Sequence, residues 1–186
     1  MQFSNSGYEF LKVYEGYSDT LYVTDTVLKD STFGWGFYIH SPIVQKVPHI
    51  DTCIKNNHID VPTANAVLEI IVGNLEHEVK GMGFDRTLKI GLSQNQYDAF
   101  VCYHYNTGKI LNRNNSLRQK ILKFADTTEI KTAWLNYGYA EEGVKRGILH
   151  RRWDELQIFL SADYSAYCRK SCRKKKRCNV CKEYMP

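Results

Sequence analysis

Residues 14–36 read YEGYSDTLYVTDTVLKDSTFGWG, and the rest of the chain takes its meaning from them. Just upstream, Phe10, Leu11, Val13 and Tyr14 fall at mixed helical spacing, which predicts a short amphipathic helix over 6–15. Gly16 stops that helix, because glycine accepts the left-handed conformation in which helices end. Between residues 19 and 39, TLYVT and STFGWGFYI are rich in β-branched and aromatic residues, with turn-forming Asp and Lys between them. This pattern predicts a small β-hairpin or meander. Glu15 therefore stands at the end of a helix, immediately before a sheet.

That position suits an acid catalyst. Enzymes that cut glycosidic bonds commonly use two carboxyls, one to protonate the leaving oxygen and one to activate water or attack the sugar. The negative end of a helix disfavours a carboxylate, which helps keep Glu15 protonated as a general acid requires. Taken alone, Glu15 reads first as a solvated surface acid.

Beyond the sheet, Ser41 to Asp60 reads as irregular. A long helix follows from Pro62, with Val67, Ile70, Ile71, Leu75 and Val79 at helical spacing, ending near Gly81 or Gly83. Ser93-x-x-Gln96 is a capping box that opens a helix through Tyr97, Phe100, Val101 and Tyr105 to Gly108. Asn115 or Ser116 can cap another, with Leu117, Ile121, Leu122 and Phe124 on its apolar side. Residues 127–137 and 144–160 supply two more, the last carrying Ile148, Trp153, Leu156 and Phe159. The fold class is α+β, mostly α. A sheet this small cannot bury both faces by itself. It is expected to form a small lobe beside a larger helical lobe, with a cleft between them.

With 186 residues, 43% of them hydrophobic, the chain can build one compact domain with a real core. No apolar run reaches the roughly 20 residues that a bilayer requires. The N-terminus, MQFSNSGYEFLKVYEG, lacks the basic and continuous apolar regions of a cleavable secretion signal. The six histidines (His40, His49, His58, His77, His104 and His150) show no metal-ligand helix spacing with an acid between, so no catalytic metal is expected. His77-Glu78 reads as solvated. Tyr97, Tyr103, Tyr105, Tyr137 and Tyr139 are able to stack on sugars, but read mainly as core and rim packing.

The two ends of the chain differ. Residues 168–186 hold eight Lys/Arg against one acid, a local charge of +7 in a chain of net +5, so the body is slightly acidic at −2. Cys53 and Cys102 are isolated and read as small buried hydrophobes. Cys168, Cys172, Cys178 and Cys181 form C-x3-C-x5-C-x2-C. Four such thiolates suit one structural zinc, or two disulfides in any of three pairings. Disulfides are placed ahead of zinc for a protein working outside the cytoplasm. The domain division is 1–162 for the body and 163–186 for a basic, Cys-rich tail.

The segment quoted first also carries a resemblance. Glu15-Gly16, then Tyr22 to Asp25, then Thr32-Phe33-Gly34-Trp35-Gly36 resemble the phage-type lysozymes of glycoside hydrolase family 24. LSQNQYDAFVCYHYNTG at 92–108, NNSLRQKIL at 114–122 and GILHRRWDELQIFL at 147–160 are similar to three later helices of that family, in the same order. The resemblance implies a lysozyme-like fold and a muramidase that cleaves the β-1,4 bond between N-acetylmuramic acid and N-acetylglucosamine of bacterial peptidoglycan. It implies Glu15 as general acid, Asp25 holding the water, Thr32 positioning that water, and Arg151 balancing Glu15, with Arg152 as the alternative. Gly36 belongs to the strand facing the sugar, and Tyr105, Asn106 and Ser116 fall where the family lines its cleft. No cofactor is implied. An inverting mechanism is implied, with the two carboxyls roughly 6.5–9.5 Å apart.

Counted strictly from Glu15, the family's Asp falls on Thr24. Asp25 fits only if the first strand carries one extra residue, and Asp19 and Asp30 are the substitutes. Phe37 stands where the family often has His. Competing readings are a lysozyme-shaped module that binds the envelope without catalysis, and a transglycosylase that needs Glu15 alone. Without a secretion signal, the expected route to the wall is holin release or delivery by an injection machine. The basic tail reads either as a solubility tail or as an attachment to anionic cell envelope, rather than to nucleic acid. A monomer is expected. If the tail holds two disulfides, reduction will raise the intact mass by about four hydrogens; an unchanged mass in the absence of zinc removes that pairing.

Overall fold

The computed structural model describes residues 1–25, 30–81, 91–108, 115–123, 125–140, 143–144 and 146–173; of these, the side chains of 24, 25, 30, 138–140, 143–144, 172 and 173 are not described. Phe124, Asp30's side chain and the tail cysteines Cys172, Cys178 and Cys181 thus lie outside the described residues or side chains. The chain forms two compact units. One is Lys12–Leu75; the other combines Met1–Leu11 with the chain from Glu76 onward.

Helix α1, Asn5–Glu15, ends in the first unit. Its last hydrogen bond runs from Gly16 N to Lys12 O at 3.0 Å, with Gly16 at φ +73°. The chain then enters an antiparallel sheet of order β1-β2-β3: Ser18–Asp25, Asp30–Gly34 and Phe37–Tyr38. The sheet is a meander, as its β-branched and aromatic composition predicts. Its register is irregular. Ser18 faces Gly34, Tyr22 and Val23 face Thr32 and Ser31, and Asp25 faces Asp30, so β1 carries two extra residues before Tyr22 and one at Thr24. Beneath the sheet, Phe33, Phe37, Ile39, Val44, Val47, Ile50 and Ile59 are buried. Ala64, Val67, Leu68 and Val72 are the buried side of the first part of helix α3, Val61–Gly81.

The region expected to be irregular is partly helical. Val44–Lys46 is a 3-10 turn and α2 spans Ile50–Lys55. Six residues are too few to show a helical period. The residue before them, His49, is left-handed at φ +64° and makes no side-chain cap, so neither usual signal is present.

The larger unit is helical. Its helices are α4, Gln94–Thr107; α5, Ser116–Leu122; α6, Thr127–Leu135; α7, Arg146–Ser161; and α8, Tyr167–Arg173. A two-stranded ribbon, β4 Tyr139–Ala140 and β5 Gly143–Val144, precedes α7. The local signals act as expected. Ser93 and Gln96 form the capping box of α4, and Gly108 closes it at φ +59°. Asn115 caps α5 by accepting from Arg118 N at 2.9 Å. The core centres on Trp134, packed against Phe100 and Phe159 with ring centroids 5.7 and 5.2 Å away. Such pairs contribute about 0.5–1.5 kcal/mol each beyond burial. Ile148, expected on the apolar side of α7, is exposed, while Leu149, Leu156 and Phe159 are buried. Cys102 is fully buried and Cys53 is half-buried.

Residues from 163 on begin as structure packed against α7. Asp154 of α7, itself buried, accepts from Cys168 N at 3.1 Å and Arg169 N at 3.2 Å, capping α8. Cys168 is wholly buried. Among the described residues, no helix is long and apolar enough to cross a membrane.

Two acids, Glu78 and Asp98, tie the helices together. His77 and Glu78 are both exposed, as expected, and Glu78 also places Oε2 2.6 Å from Nε2 of buried His104. Asp98, fully buried on α4, accepts from Ser4 N at 3.1 Å, Gln94 Nε2 at 2.8 Å and Tyr164 Oη at 2.6 Å. It therefore joins the N-terminal segment, α4 and the chain after α7. Its Oδ2 also accepts from Ser4 Oγ, so replacing it removes the acceptor of four donors. We expect Asp98→Ala to cost about 2–4 kcal/mol in urea unfolding; a loss below about 0.5 kcal/mol would show the joint to be dispensable.

Candidate active site

In the smaller unit, Glu15 is the last residue of α1 and is half-buried. Its setting is made by the glycines of the Thr-Phe-Gly-Trp-Gly stretch. Gly34 and Gly36 sit at φ +61° and +80°, left-handed values that fold the chain sharply between β2 and β3. A Cβ on Gly36 would lie 3.5 Å from Glu15 Oε2. The carboxylate therefore rests on a stretch of backbone that bears no side chain. Gly34 is tighter, since a Cβ there would come 2.8 Å from the buried Phe37 ring.

Trp35, between these glycines, is held on several sides. Its indole N–H donates to Asn65 Oδ1 at 3.0 Å, its ring lies 5.1 Å from that of Tyr17, and the Lys12 ammonium is 5.6 Å from its centroid. Tyr17 in turn donates to Ile59 O. These contacts fix the turn that supports Glu15.

Thr32 lies across β1 from Tyr22 and across β3 from Tyr38. Directly opposite residues in antiparallel strands share a face of the sheet. Both tyrosines are exposed, at 41% and 39%, whereas Thr32 is 93% buried between them. Its Oγ1 has no hydrogen-bond partner among the described residues. A buried hydroxyl left unmatched costs about 1–3 kcal/mol. Asp25 ends β1, just after the extra residue, and its side chain lies outside the described set.

In the helical unit, Arg151 and Arg152 converge on Glu155, and Arg152 also reaches Asn106. Glu155 Oε1 receives Arg151 Nε at 3.1 Å and Arg152 Nη2 at 2.6 Å, and Trp134 Nε1 lies 3.4 Å from Oε2. Arg152 Nη2 also reaches Asn106 Oδ1 at 3.1 Å. Burial pushes the Glu155 carboxyl up, and the two guanidiniums pull it back. Burial likewise lowers Arg152. Of the other residues predicted for this site, Tyr105 is half-buried near the end of α4, and Ser116 is exposed at the start of α5.

The phage lysozyme family model matches residues 12–155. The chain belongs to the phage lysozyme family. It is 26% identical over 161 residues to an endolysin of Bacillus phage PZA, a match covering 87% of this chain and 56% of that protein. The chain thus spans little more than half the length of the curated relatives it matches. The endolysin from Escherichia coli O157:H7 phage FAHEc1 shares the fold at TM-score 0.67 and 21% identity, over 88% of this chain and 96% of that one. The muramidase domain of SpmX from Asticaccaulis excentricus does so at TM-score 0.66 and 20% identity, over 86% and 98%.

In this member of the phage lysozyme family, the sequence reading did not include Glu155, Asn65 or the ring contacts of Trp35. Glu155 had a signal: it follows Arg151 and Arg152 by four and three residues on one helix. Asn65 had none, because it meets Trp35 only through the fold. The glycine geometry orders two substitutions. Gly34→Ala should lower the thermal midpoint well beyond Gly36→Ala, because the first adds a clash with Phe37 to the roughly 1–2 kcal/mol of left-handed strain that both incur; equal losses would contradict it.

Proposed function

We propose that this chain is a peptidoglycan hydrolase that cleaves the β-1,4 bond between N-acetylmuramic acid and N-acetylglucosamine. The observation that carries the reading is the pairing of Glu15 Oε2 with bare Gly36 backbone, on the same small unit as a buried Thr32 hydroxyl that lacks a partner. A carboxyl resting on bare backbone leaves a sugar room to approach it. An unmatched hydroxyl gives the attacking water a fixed point.

In the proposed mechanism, Glu15 donates its proton to the leaving glycosidic oxygen. Asp25 takes a proton from water on the opposite face of the sugar as that water attacks the anomeric carbon, and Thr32 holds the water in line. Arg151 has a supporting role through its charge. Gly36, Tyr105, Asn106 and Ser116 contact the glycan. Two carboxyls and a water complete the reaction without a cofactor.

The same reading extends to the rest of the protein. The four tail cysteines form two disulfides, with a structural zinc as the alternative, and the basic residues around them attract anionic envelope polymers. The protein acts as a monomer and reaches the wall by holin release or an injection machine.

Digestion of purified peptidoglycan with mass analysis of the products tests the chemistry. Wild type should release muropeptides with reducing N-acetylmuramic acid ends. Glu15→Gln and Asp25→Asn should each lose about 100-fold or more in rate, and Asp30→Asn should not. Anhydro-sugar products that depend on Glu15 alone would establish a transglycosylase instead. Wall binding without any cleavage by wild type would leave a binding module.

A further inference from the structure

Helix α8 docks on α7 with a buried thiol at its second residue. Cys168 carries that thiol and is wholly buried, and Ala166 and Ser171 on either side of it are buried too. Asp154 of α7 accepts from the backbone N–H of Cys168 at 3.1 Å and of Arg169 at 3.2 Å, so the cap of α8 comes from another helix. With seven residues, α8 is too short to persist in water without that support.

The approach to α8 is strained. Ala162 and Ala166 take left-handed conformations, at φ +55° and +50°, which a residue with a Cβ disfavours. Between them Tyr164 donates to Asp98 at 2.6 Å and so ties the linker to α4. Ala166 is therefore a hinge that docking keeps strained. Helix α8 is able to leave α7 while Tyr164 stays in place.

Cys168 is also the first cysteine of C-x3-C-x5-C-x2-C. Residues four apart on a helix keep their Cβ atoms about 5–6 Å apart, whereas a disulfide needs about 3.5–4.5 Å. A bridge from Cys168 to Cys172 thus requires α8 to deform. Cys178 and Cys181 lie beyond the helix in sequence, and a bridge to either requires the sulfur to leave its buried place. A docked α8 and a bridged Cys168 exclude one another.

We propose that α8 is a redox latch. It stays docked while Cys168 is a thiol. In an oxidising compartment, a bridge from Cys168 to another tail cysteine captures the undocked state, and Arg169, Lys170 and Arg173 leave α7 with it. This rests on the disulfide reading of the tail given above and adds an order of events, undocking first and bridging second. The oxidant is a small disulfide such as oxidised glutathione. A tail thiolate attacks it, forming a mixed disulfide and releasing one glutathione thiolate. The Cys168 thiolate, once exposed, attacks the protein sulfur of that mixed disulfide and displaces the second glutathione. Two protein thiols and one glutathione disulfide thereby become one protein disulfide and two glutathione thiols.

Hydrogen exchange and peptide mapping on the full chain, in reduced or oxidised glutathione, test this. Oxidation should link Cys168 to another tail cysteine. The amides of Cys168 and Arg169, which Asp154 holds in the docked state, should then exchange about tenfold faster or more than in the reduced chain. Cys168→Ala keeps a small apolar side chain at the buried position. Under oxidised glutathione, its amides at 168 and 169 should retain the slow exchange of the reduced wild type. Bridges that leave out Cys168, a Cys168 bridge formed with both amides still protected, or fast exchange in oxidised Cys168→Ala would overturn the latch while leaving the tail disulfides in place. The absence of any bridge under oxidised glutathione would overturn both the latch and the disulfide reading.

Discussion

A carboxylate held at the very end of a helix, against a turn without side chains, is the constraint on which the smaller unit is built. Helix α1 has to stop at Glu15, and Gly16 stops it by taking a left-handed conformation. The facing turn has to come close, and Gly34 and Gly36 allow it by taking the same conformation. Any other residue would strain the backbone by about 1–2 kcal/mol at each place. Trp35 then makes the turn rigid, because its ring and its N–H are both engaged by residues from other segments. The sheet, α3 and the apolar layer between them give that turn a foundation.

The helical unit solves a different problem, which is how to keep charge inside. An isolated buried carboxylate is penalised by several kcal/mol. Glu155 is tolerated because two arginines and an indole N–H surround it. The same network reaches Asn106 on α4, so one buried charge ties α7 to the end of another helix. Asp98 does similar work near the other end of α4, joining Ser4 and Tyr164. These links fix particular helix positions, where apolar packing around Trp134 alone would accept small slips.

Much of this was legible because it is local. The capping box at Ser93, the stop at Gly108, the Asn115 cap and the β-rich composition of 19–39 all depend on residues within a few places of one another. Short range also explains why Glu15 and the Thr-Phe-Gly-Trp-Gly turn stood out. What escaped notice was either too short or too distant. Helix α2 has six residues and an uncapped start. Glu78 and His104 are far apart in sequence, and so are Asp98 and Tyr164; nothing near either member announces its partner.

The sequence by itself determined the order of the longer helices and the first sheet, and the family to which the chain belongs, but not α2, the β4–β5 ribbon or α8. Periodicity and backbone preference act over a handful of residues, so they are written in the local pattern. The tertiary structure decided how the polar groups were committed: that Arg152 serves Glu155 and Asn106, that Thr32 is enclosed without a partner, and that Gly36 lies beneath Glu15. Burial and hydrogen-bond partnership come from segments meeting after the chain has folded. A motif can therefore name the residues of a site, but only the packed chain sets what each of them faces.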